Sequence, residues 1–272
     1  MKMILYRMLR KLRKSKFARK SNTDNVVPKT WEIAGDTWDE VNALCTGYGT
    51  DEILNKCKES LYQVKTGQAV YERDSVLFDS KQYSTGLLVG LLLACKNNKT
   101  LNVLDFGGSL GTTYFQNRDI LEGVHINWVI VEQPEFVKIG REYFQTDNLK
   151  FCMSVQEALL SFKPDVIVLS GVLQCINLPS IYEELINVGA RYILVDRTSF
   201  NKKGQKAIVK QNVPEYIYKA NYPMHVFEKN EFLSKFEAYE NLMEFPSYCE
   251  PPGFYINNDV IIEWLGFVFK KK

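Results

Sequence analysis

The chain has 272 residues, a formal net charge of +2, 46% hydrophobic residues and 24% charged residues. That composition supplies a packed core and excludes a globally disordered chain. Residues 1–20 hold nine of the 34 Lys and Arg residues and none of the 32 acids, so the remaining chain carries 25 bases, 32 acids and a net charge of −7. An acidic body lacks the basic face that non-specific binding of nucleic acid requires, so no nucleic-acid partner is expected.

The cysteines and the apolar runs indicate a cytosolic, reduced protein. No two of the six cysteines form a CxxC pair and the chain has two His, so we expect no metal site. The longest near-apolar run, residues 86–95, has about half the length that a membrane span needs. The apolar start of the chain is interrupted at Arg7, which argues against a secretory signal.

Residues 1–20 predict a short basic amphipathic helix. Met1, Ile4, Leu5, Met8 and Leu9 recur at helical spacing, with bases between them. One interpretation is an arm that makes peripheral contact with anionic lipid at the inner face of the cell membrane. The alternative is a frayed, solvated basic tail. Residues 21–30 are interpreted as a linker.

Residues 31–100 predict a mainly helical N-terminal cap region. One amphipathic helix starts at Asp51 and runs towards Val64, and a more apolar helix covers residues 84–95. Between them, residues 71–79 mix charged and aromatic side chains.

From residue 101 onwards, short apolar runs alternate with helical patterns, which predicts right-handed βαβ crossovers and a parallel sheet with helices on both faces. The expected strands are residues 101–106, 128–132, 149–153, 166–170 and 192–196, and the expected helices are residues 112–121, 134–144, 156–162 and 180–188. Residues 201–222 are expected to form a polar loop and partial lid, and residues 228–236 a helix. Residues 239–245 and 261–269 predict an antiparallel hairpin at the edge of the sheet.

The sharpest motif is a glycine-rich turn after the first of these strands, with Gly107, Gly108 and Gly111. Glycine permits a tight turn and lets the backbone approach a ligand closely. The next strand ends in Glu132, 21 positions after Gly111. A carboxylate there can accept both ribose hydroxyls of a bound nucleoside. The alternative for Glu132 is a helix-capping or surface acid.

The spacing within the turn bears on which nucleoside is bound. The dinucleotide fingerprint G-x-G-x-x-G is absent, and the order here is Asp105-x-Gly107-x-Ser109-x-Gly111. An acid at the end of the first strand would repel a pyrophosphate. It suits a ligand with an ammonium and a sulfonium group, such as S-adenosylmethionine.

With these motifs the chain resembles the class I S-adenosylmethionine-dependent methyltransferases. More narrowly, it resembles the methyltransferase family of bacterial surface-polysaccharide (O-antigen and capsule) gene clusters. The resemblance covers nearly everything from about residue 30 to the end. It rests on residues 71–79, 103–115, 131–133, 164–174, 195–198, 217–218 and 222–223.

The resemblance implies a Rossmann-like doubly wound sheet with an antiparallel C-terminal edge hairpin, in which residues 101–272 form the domain that binds the cofactor S-adenosyl-L-methionine. The first-strand acid and the glycine turn would hold the methionine moiety, the second-strand acid the ribose, and the residues after the third strand the adenine. Ser109 stands where glycine is common in the family. The implied cofactor-binding residues are Asp105, Gly107, Gly108, Ser109, Gly111, Glu132, Gln133, Ser154, Val155 and Ser170.

Methyl transfer is an in-line displacement that needs a positioned acceptor, and a hydroxyl acceptor also benefits from a general base. Candidates for the base are Asp74, Glu72, His225 and Asp196, of which Asp74 and His225 are the expected catalytic residues. The alternatives are a salt-bridged lid for residues 72–74, a structural His225, and an ion pair at the strand end for Asp196. Tyr216 is a further aromatic of the expected lid, which could stack on a sugar or simply pack. The acceptor-binding residues are expected to be Tyr71, Glu72, Arg73, Gln174, Arg197, Tyr218 and Tyr222.

Three functions follow from the sequence. The first is O-methylation of a sugar or glycolipid intermediate of surface-polysaccharide biosynthesis, with a small-molecule or lipid-linked glycan as acceptor. The second is a catalytically degenerate methyltransferase fold that acts as a membrane-associated assembly factor. The third is an NAD(P)-dependent sugar-modifying enzyme, against which the absence of G-x-G-x-x-G argues.

Overall fold

The computed structural model describes residues 30–47, 51–96 and 98–272. The predictions for the basic arm, residues 1–20, and for nearly all of the linker lie outside these residues. The described helices are α1 (Trp38–Asn42), α2 (Asp51–Lys65), α3 (Thr85–Cys95), α4 (Thr112–Asn117), α5 (Pro134–Ile139), which continues as a π-helical turn (Gly140–Phe144), α6 (Val155–Leu159), α7 (Ser180–Asn187) and α8 (Lys229–Ser234). A 3₁₀ turn covers Leu173–Cys175.

The strands are β1 (Trp31–Glu32), β2 (Tyr71–Arg73), β3 (Val76–Phe78), β4 (Thr100–Phe106), β5 (His125–Val131), β6 (Leu149–Cys152), β7 (Val166–Ser170), β8 (Tyr192–Asn201), β9 (Ala207–Asn212), β10 (Asn221–Val226), β11 (Tyr239–Pro246), β12 (Phe254–Tyr255) and β13 (Ile261–Lys271). The main sheet has the order β11-β13-β8-β7-β4-β5-β6. β6, β5, β4, β7 and β8 are parallel, and β13 lies antiparallel between β8 and β11. The expected Rossmann-like sheet with an antiparallel C-terminal edge is therefore confirmed.

The parallel strands are apolar on both faces because helices cover both sides of the sheet. One core contains Leu91 of α3, Phe115 of α4 and Phe136 of α5, packed on Val103 and Trp128 of the sheet. The opposite core is built by α6, α7 and α8, whose buried members include Ala158, Leu185 and Phe232. The sheet is thus doubly wound.

The segment between α2 and α3, for which the sequence predicted no particular element, forms two short strands. β2 and β3 form an antiparallel hairpin joined by Asp74 and Ser75, with φ of 52° and 65°. Two successive residues with positive φ match the type I′ turn, whose twist suits a two-residue hairpin. The strands have three residues each, too few to produce the alternation from which a strand is recognised in a sequence.

Residues 201–222 also differ from the prediction of a polar loop. They contain β9 and the start of β10, which pair antiparallel with each other and extend to β1 in a three-stranded sheet of order β1-β9-β10. Most residues of β9 are only partly buried. A half-exposed strand carries polar side chains such as Lys210 and Gln211. Because these side chains are also typical of loops, the sequence predicted a loop here.

Among the described residues, no helix combines the length and the apolar character needed to span a bilayer.

Candidate functional site

A cavity of about 540 Å³ lies at the carboxyl ends of β4, β5, β7 and β8. Open α/β sheets bind ligands at this edge, and the volume is within the range of small-molecule sites. The β2–β3 hairpin and the residues that connect β9 to β10 contribute to its lining. The cavity has a glycine side at the ends of β4 and β5. It also has a polar lobe, lined by Glu72, Arg73, Asp74, Gln174, Asp196, Arg197, Tyr218, Tyr222, Tyr248 and Glu250.

The glycine turn after β4 forms the floor of the glycine side. Gly107 has φ of +70° and Ser109 has φ of +52°, so the chain turns through the left-handed region twice. A Cβ at Gly107 would overlap the side chain of Val172, and a Cβ at Gly108 would lie 2.5 Å from Cγ of Asp105. Gly107, Gly108 and Ser109 line the cavity. Gly111 does not: it is the N-cap of α4, with φ of +112°.

Asp105 lies behind this turn and does not line the cavity. Its side chain is fully buried, Oδ2 accepts a hydrogen bond of 2.9 Å from Trp128 Nε1, and Oδ1 has no partner among the described residues. Burial raises the pKa of the carboxyl to about 7; the Trp128 hydrogen bond opposes this rise and the charge of Glu132 adds to it. The sequence predicts contact of Asp105 with the methionine moiety; in the structure its carboxyl lies against Gly108 and outside the lining of the cavity.

Glu132 follows β5 directly and lines the cavity beside the turn. Its Oε2 accepts the backbone N–H of Gln133 at 2.7 Å, and its Oε1 accepts that of Ser109 at 3.3 Å. Burial raises the pKa of the carboxyl, and the two backbone hydrogen bonds oppose this rise. The carboxylate thus links the end of β5 to the glycine turn. Gln133 and Ser170 also line the cavity, as expected.

The residues that were expected to contact adenine after β6 do not line the cavity, whereas the residue before them does. Met153 lines the cavity, but Ser154 and Val155 do not. The Ser154 hydroxyl caps α6 by accepting the N–H of Glu157 at 3.0 Å, and Val155 is buried in the core beneath the helix. The need to cap a helix start directs the serine away from the cavity.

Arg197 is the centre of the polar lobe. Asp196 and Arg197 stand opposite the single residue Gly266 of β13, which forms a β-bulge in which Arg197 has φ of +53°. Bulges redirect side chains at sites of this kind. The guanidinium donates to both carboxylate oxygens of Asp74, at 3.2 and 2.7 Å, and to Glu250 at 2.7 Å. The pKa of Arg197 is raised well above its ordinary value: burial opposes the rise, but the two carboxylates outweigh it.

The sequence analysis did not predict Glu250 as a residue of the site, because no motif includes it. Burial acts to raise its pKa, but the charge of Arg197 and hydrogen bonds from Ser247 and Cys249 outweigh burial and leave the pKa lowered. The carboxylate is thus held ionised. Its neighbour Tyr248 also lines the cavity and was likewise missed.

Glu72 is a buried acid in the wall of the lobe. It accepts hydrogen bonds from the Thr112 hydroxyl and from the N–H of Ser75, the latter at 3.2 Å. Burial raises the pKa to about 7; the hydrogen bonds and Arg197 oppose this rise, and Asp74 adds to it. Near neutral pH the carboxyl can therefore both accept and return a proton.

Tyr71, expected beside the ligand, lies behind the lobe. Its hydroxyl is 2.8 Å from that of Tyr248 and accepts a hydrogen bond of 3.2 Å from Gln116 Nε2. It does not line the cavity, whereas its strand neighbours Glu72 and Arg73 do. Tyr71 therefore supports Tyr248 from the second layer of side chains.

Gln174 and Asp196 line the lobe as buried polar residues. Gln174 Nε2 donates to the carbonyl of Arg197 at 3.0 Å, while its Oε1 has no partner among the described residues. Burial raises the pKa of Asp196 to about 7, although the charge of Arg197 opposes this rise. Tyr218 and Tyr222 complete the wall, whereas Tyr216 is 81% exposed and does not line the cavity.

His225, one of the two expected catalytic residues, is not brought to the cavity. Its ring stacks on Trp38 at 4.5 Å and on Phe227 at 5.5 Å between centroids, each with an interplanar angle of 23°. Burial lowers its pKa. These contacts agree with the alternative interpretation of the sequence, in which His225 is a structural residue. Asp74, the other expected catalytic residue, lines the cavity but is committed to Arg197.

Among the described residues, no three His, Cys, Asp or Glu side chains come together in a group that could hold a metal ion. All six cysteines are free thiols. Two of them, Cys57 and Cys175, line the cavity, and burial raises their pKa values to about 11 and about 12. No pattern in the sequence indicates that these two cysteines, unlike the other four, line a cavity.

No family model matches the chain, and no curated protein matches it. Several solved structures are similar in fold. The N-terminal domain of EvdMO1, crystallised in the presence of SAH and D-fucose, is 10% identical with a TM-score of 0.46, and the match covers 82% of this chain and all 100% of that one. The 1,6-didemethyltoxoflavin-N1-methyltransferase of Burkholderia thailandensis, with bound 1,6-didemethyltoxoflavin and S-adenosylhomocysteine, is 13% identical with a TM-score of 0.41 and coverage of 80% and 88%.

An S-adenosylmethionine-dependent methyltransferase of Clostridium acetobutylicum is 10% identical with a TM-score of 0.43, and the match covers 78% of this chain and 96% of that one. Each of these TM-scores lies below 0.5.

Proposed function

We propose that this chain is an S-adenosylmethionine-dependent methyltransferase whose cofactor lies on the glycine side of the cavity and whose acceptor lies in the polar lobe. The observation that supports it best is the pairing of Glu132 with a glycine turn that has no room for a side chain at Gly107 or Gly108. Backbone without side chains lets a ligand approach closely, and a carboxylate at the end of the second strand suits ribose hydroxyls.

The residues of the glycine side fit this cofactor. Glu132 would accept the ribose hydroxyls, and the backbone from Gly107 to Ser109 would carry the methionine moiety. Met153 would lie beside the adenine, a position that the sequence analysis predicted for Ser154 and Val155. Asp105 would act from behind the turn, where its carboxyl packs against Gly108 and accepts the hydrogen bond from Trp128 Nε1.

When bound, the cofactor supplies an electrophilic methyl group. The residues of the polar lobe would orient the acceptor against it, which accounts for much of the catalysis in a reaction of this kind. Glu72 is the base that the geometry favours, because it lines the cavity and its pKa of about 7 suits proton transfer at neutral pH. It replaces His225 in that role.

The sequence resemblance supports finer proposals. The acceptor would be a sugar or glycolipid intermediate of bacterial surface-polysaccharide biosynthesis, and the reaction O-methylation in the cytoplasm. Residues 31–100 would form a cap and residues 101–272 the cofactor-binding domain. A degenerate fold that serves membrane-associated assembly is the competing proposal, and it would fail to bind the cofactor.

Calorimetry with S-adenosylmethionine and S-adenosylhomocysteine tests the proposal. We expect one molecule to bind per chain. Glu132→Gln should weaken binding about tenfold or more, since hydrogen bonds to a charged group contribute about 1.5–3 kcal/mol. The matched control is Glu135→Gln on α5, whose side chain is exposed and outside the cavity lining; it should bind like the wild type.

Absence of binding at millimolar cofactor would overturn the proposal, and so would equal affinities of the wild type and Glu132→Gln. Enhanced fluorescence of a reduced nicotinamide cofactor on mixing would favour the NAD(P)-dependent sugar-modifying enzyme instead.

A further inference from the structure

The three-stranded sheet β1-β9-β10 covers one side of the cavity. Trp31 of β1, Gln211 of β9 and Tyr222 of β10 lie opposite one another across its strands. Because side chains alternate along a strand, Met224, two positions after Tyr222, lies on the same face of the sheet as this row. All four residues line the cavity, so this face of the sheet is directed into it.

This face is mainly apolar. The connection from β9 to β10 extends it with Val213 and Ile217, which also line the cavity. We call Trp31, Val213, Ile217 and Met224 the apolar wall. Met224 is nearly fully buried, whereas Trp31, Val213 and Ile217 each keep part of their surface accessible. Apolar surface that faces water in a cavity favours a ligand that covers it with apolar groups of its own.

The apolar wall lies on the acceptor side of the cavity. β10 contacts the 3₁₀ turn that follows β7, and it also contacts β8. The same two segments supply Gln174 and Arg197 to the polar lobe, and Tyr222 belongs both to the lobe and to the face of the sheet. Glu132 and the glycine turn, to which we assign the cofactor, follow β5 and β4 instead. A ligand in the polar lobe therefore has the apolar wall beside it.

We propose that the acceptor is amphiphilic: an alkyl or aryl group of the acceptor lies on the apolar wall, and its reacting polar group lies in the polar lobe. Burial of apolar surface on both partners is favourable, whereas a free sugar would leave the wall in contact with water. This inference rests on the proposed function, since it treats the lobe as the acceptor site. Among the sugar and glycolipid acceptors proposed above, it selects those that carry an apolar aglycone or chain.

Saturation-transfer NMR on the full chain, recorded with and without saturating S-adenosylhomocysteine, tests it. The probes are hexyl, phenyl and methyl β-D-glucopyranoside, which share one sugar and differ in the size of the apolar group. We expect the saturation of the hexyl or the phenyl probe to exceed that of the methyl probe at least threefold, because each further buried methylene strengthens binding. The strongest saturation should fall on the protons of the apolar group.

The double variant Val213→Ser, Ile217→Ser makes the apolar wall more polar and should reduce the preference for the hexyl and phenyl probes at least threefold. Thermal melting will show whether the double variant is folded; if it is not, Ile217→Ser alone, at a partly exposed position, decides the question. The matched control is Leu160→Ser, because Leu160 is 87% exposed and lies outside the cavity lining. It should behave like the wild type.

Equal saturation of the three probes, no saturation of any probe, or an apolar preference that the folded serine variants retain would overturn the inference. Displacement of the probes by S-adenosylhomocysteine would also overturn it, because the apolar wall would then belong to the cofactor site.

Calorimetry with S-adenosylhomocysteine on the same samples separates this inference from the proposed function. Bound S-adenosylhomocysteine together with equal saturation of the three probes refutes the amphiphilic acceptor alone. A preference for the hexyl or phenyl probe without binding of S-adenosylhomocysteine supports recognition of an apolar group and refutes the methyltransferase proposal.

Discussion

Asp105→Asn should make the protein more stable at alkaline pH while leaving it nearly unchanged at acidic pH. The carboxyl is fully buried, and its only hydrogen bond among the described residues comes from Trp128. The asparagine amide is close in shape to the protonated acid and can keep that hydrogen bond. The substitution therefore removes the ability to ionise and little else.

The size of the effect follows from proton linkage. Burial raises the pKa of Asp105 from 3.8 to about 7, so between these values the folded protein keeps a proton that the unfolded chain releases. The stability contributed by this group is fully present below the lower pKa and declines as the pH rises through the window. At 1.36 kcal/mol per pH unit, the wild type loses about 3 kcal/mol relative to the variant between pH 4.5 and pH 8.

Urea unfolding followed by tryptophan fluorescence, repeated from pH 4.5 to pH 8, measures this difference. Glu72 and Asp196 also have pKa values raised to about 7 by burial, but they are common to both proteins and cancel in the comparison. Asp147→Asn, at an exposed position, controls for the loss of one acid. A gap between wild type and variant that stays constant with pH would refute the reasoning, because Asp105 would then be ionised in the folded protein.

Two further predictions concern the glycine turn and the basic arm. Gly107→Ala should weaken binding of S-adenosylhomocysteine at least tenfold in calorimetry, because the new methyl group would overlap Val172; Gly204→Ala, with φ of +74° and no atom within 4 Å of its Cβ, reproduces the backbone strain without the overlap and should bind normally. Deletion of residues 1–20 removes nine bases and should spare cofactor binding but reduce flotation with anionic liposomes; unchanged flotation would favour a solvated tail.

The sequence predicted the sheet well because its strands are buried on both faces and separated by helical repeats. The expected strand at residues 166–170 coincides with β7, and the hairpin expected near the chain end is formed by β11 and β13. β8 runs five residues beyond its expected end at Asp196 because a bulge at Asp196 and Arg197 lets the strand continue. Nothing in the apolar pattern marks that bulge.

The site was predicted where it depends on local pattern and missed where it depends on distant contacts. Glu132 and the glycine turn are separated by one βα unit, so their positions at one edge follow from the topology. The partners of Arg197, by contrast, lie 123 and 53 residues away in sequence. The structural role of His225 could not be predicted, because its stacking partner Trp38 is distant in the sequence. Nothing in the residues next to His225 indicates that contact.

The position of β13 has a consequence for synthesis of the chain on the ribosome. β8 is buried along nearly its whole length, yet its neighbour on one side is β13, which spans Ile261–Lys271. Until residue 271 has left the ribosome, β8 presents an open apolar edge, the kind of edge that pairs with other chains. The glycine turn and Glu132 are complete more than a hundred residues earlier. Folding of the two halves is therefore separated in time, and the nascent chain is most prone to aggregate late in its synthesis.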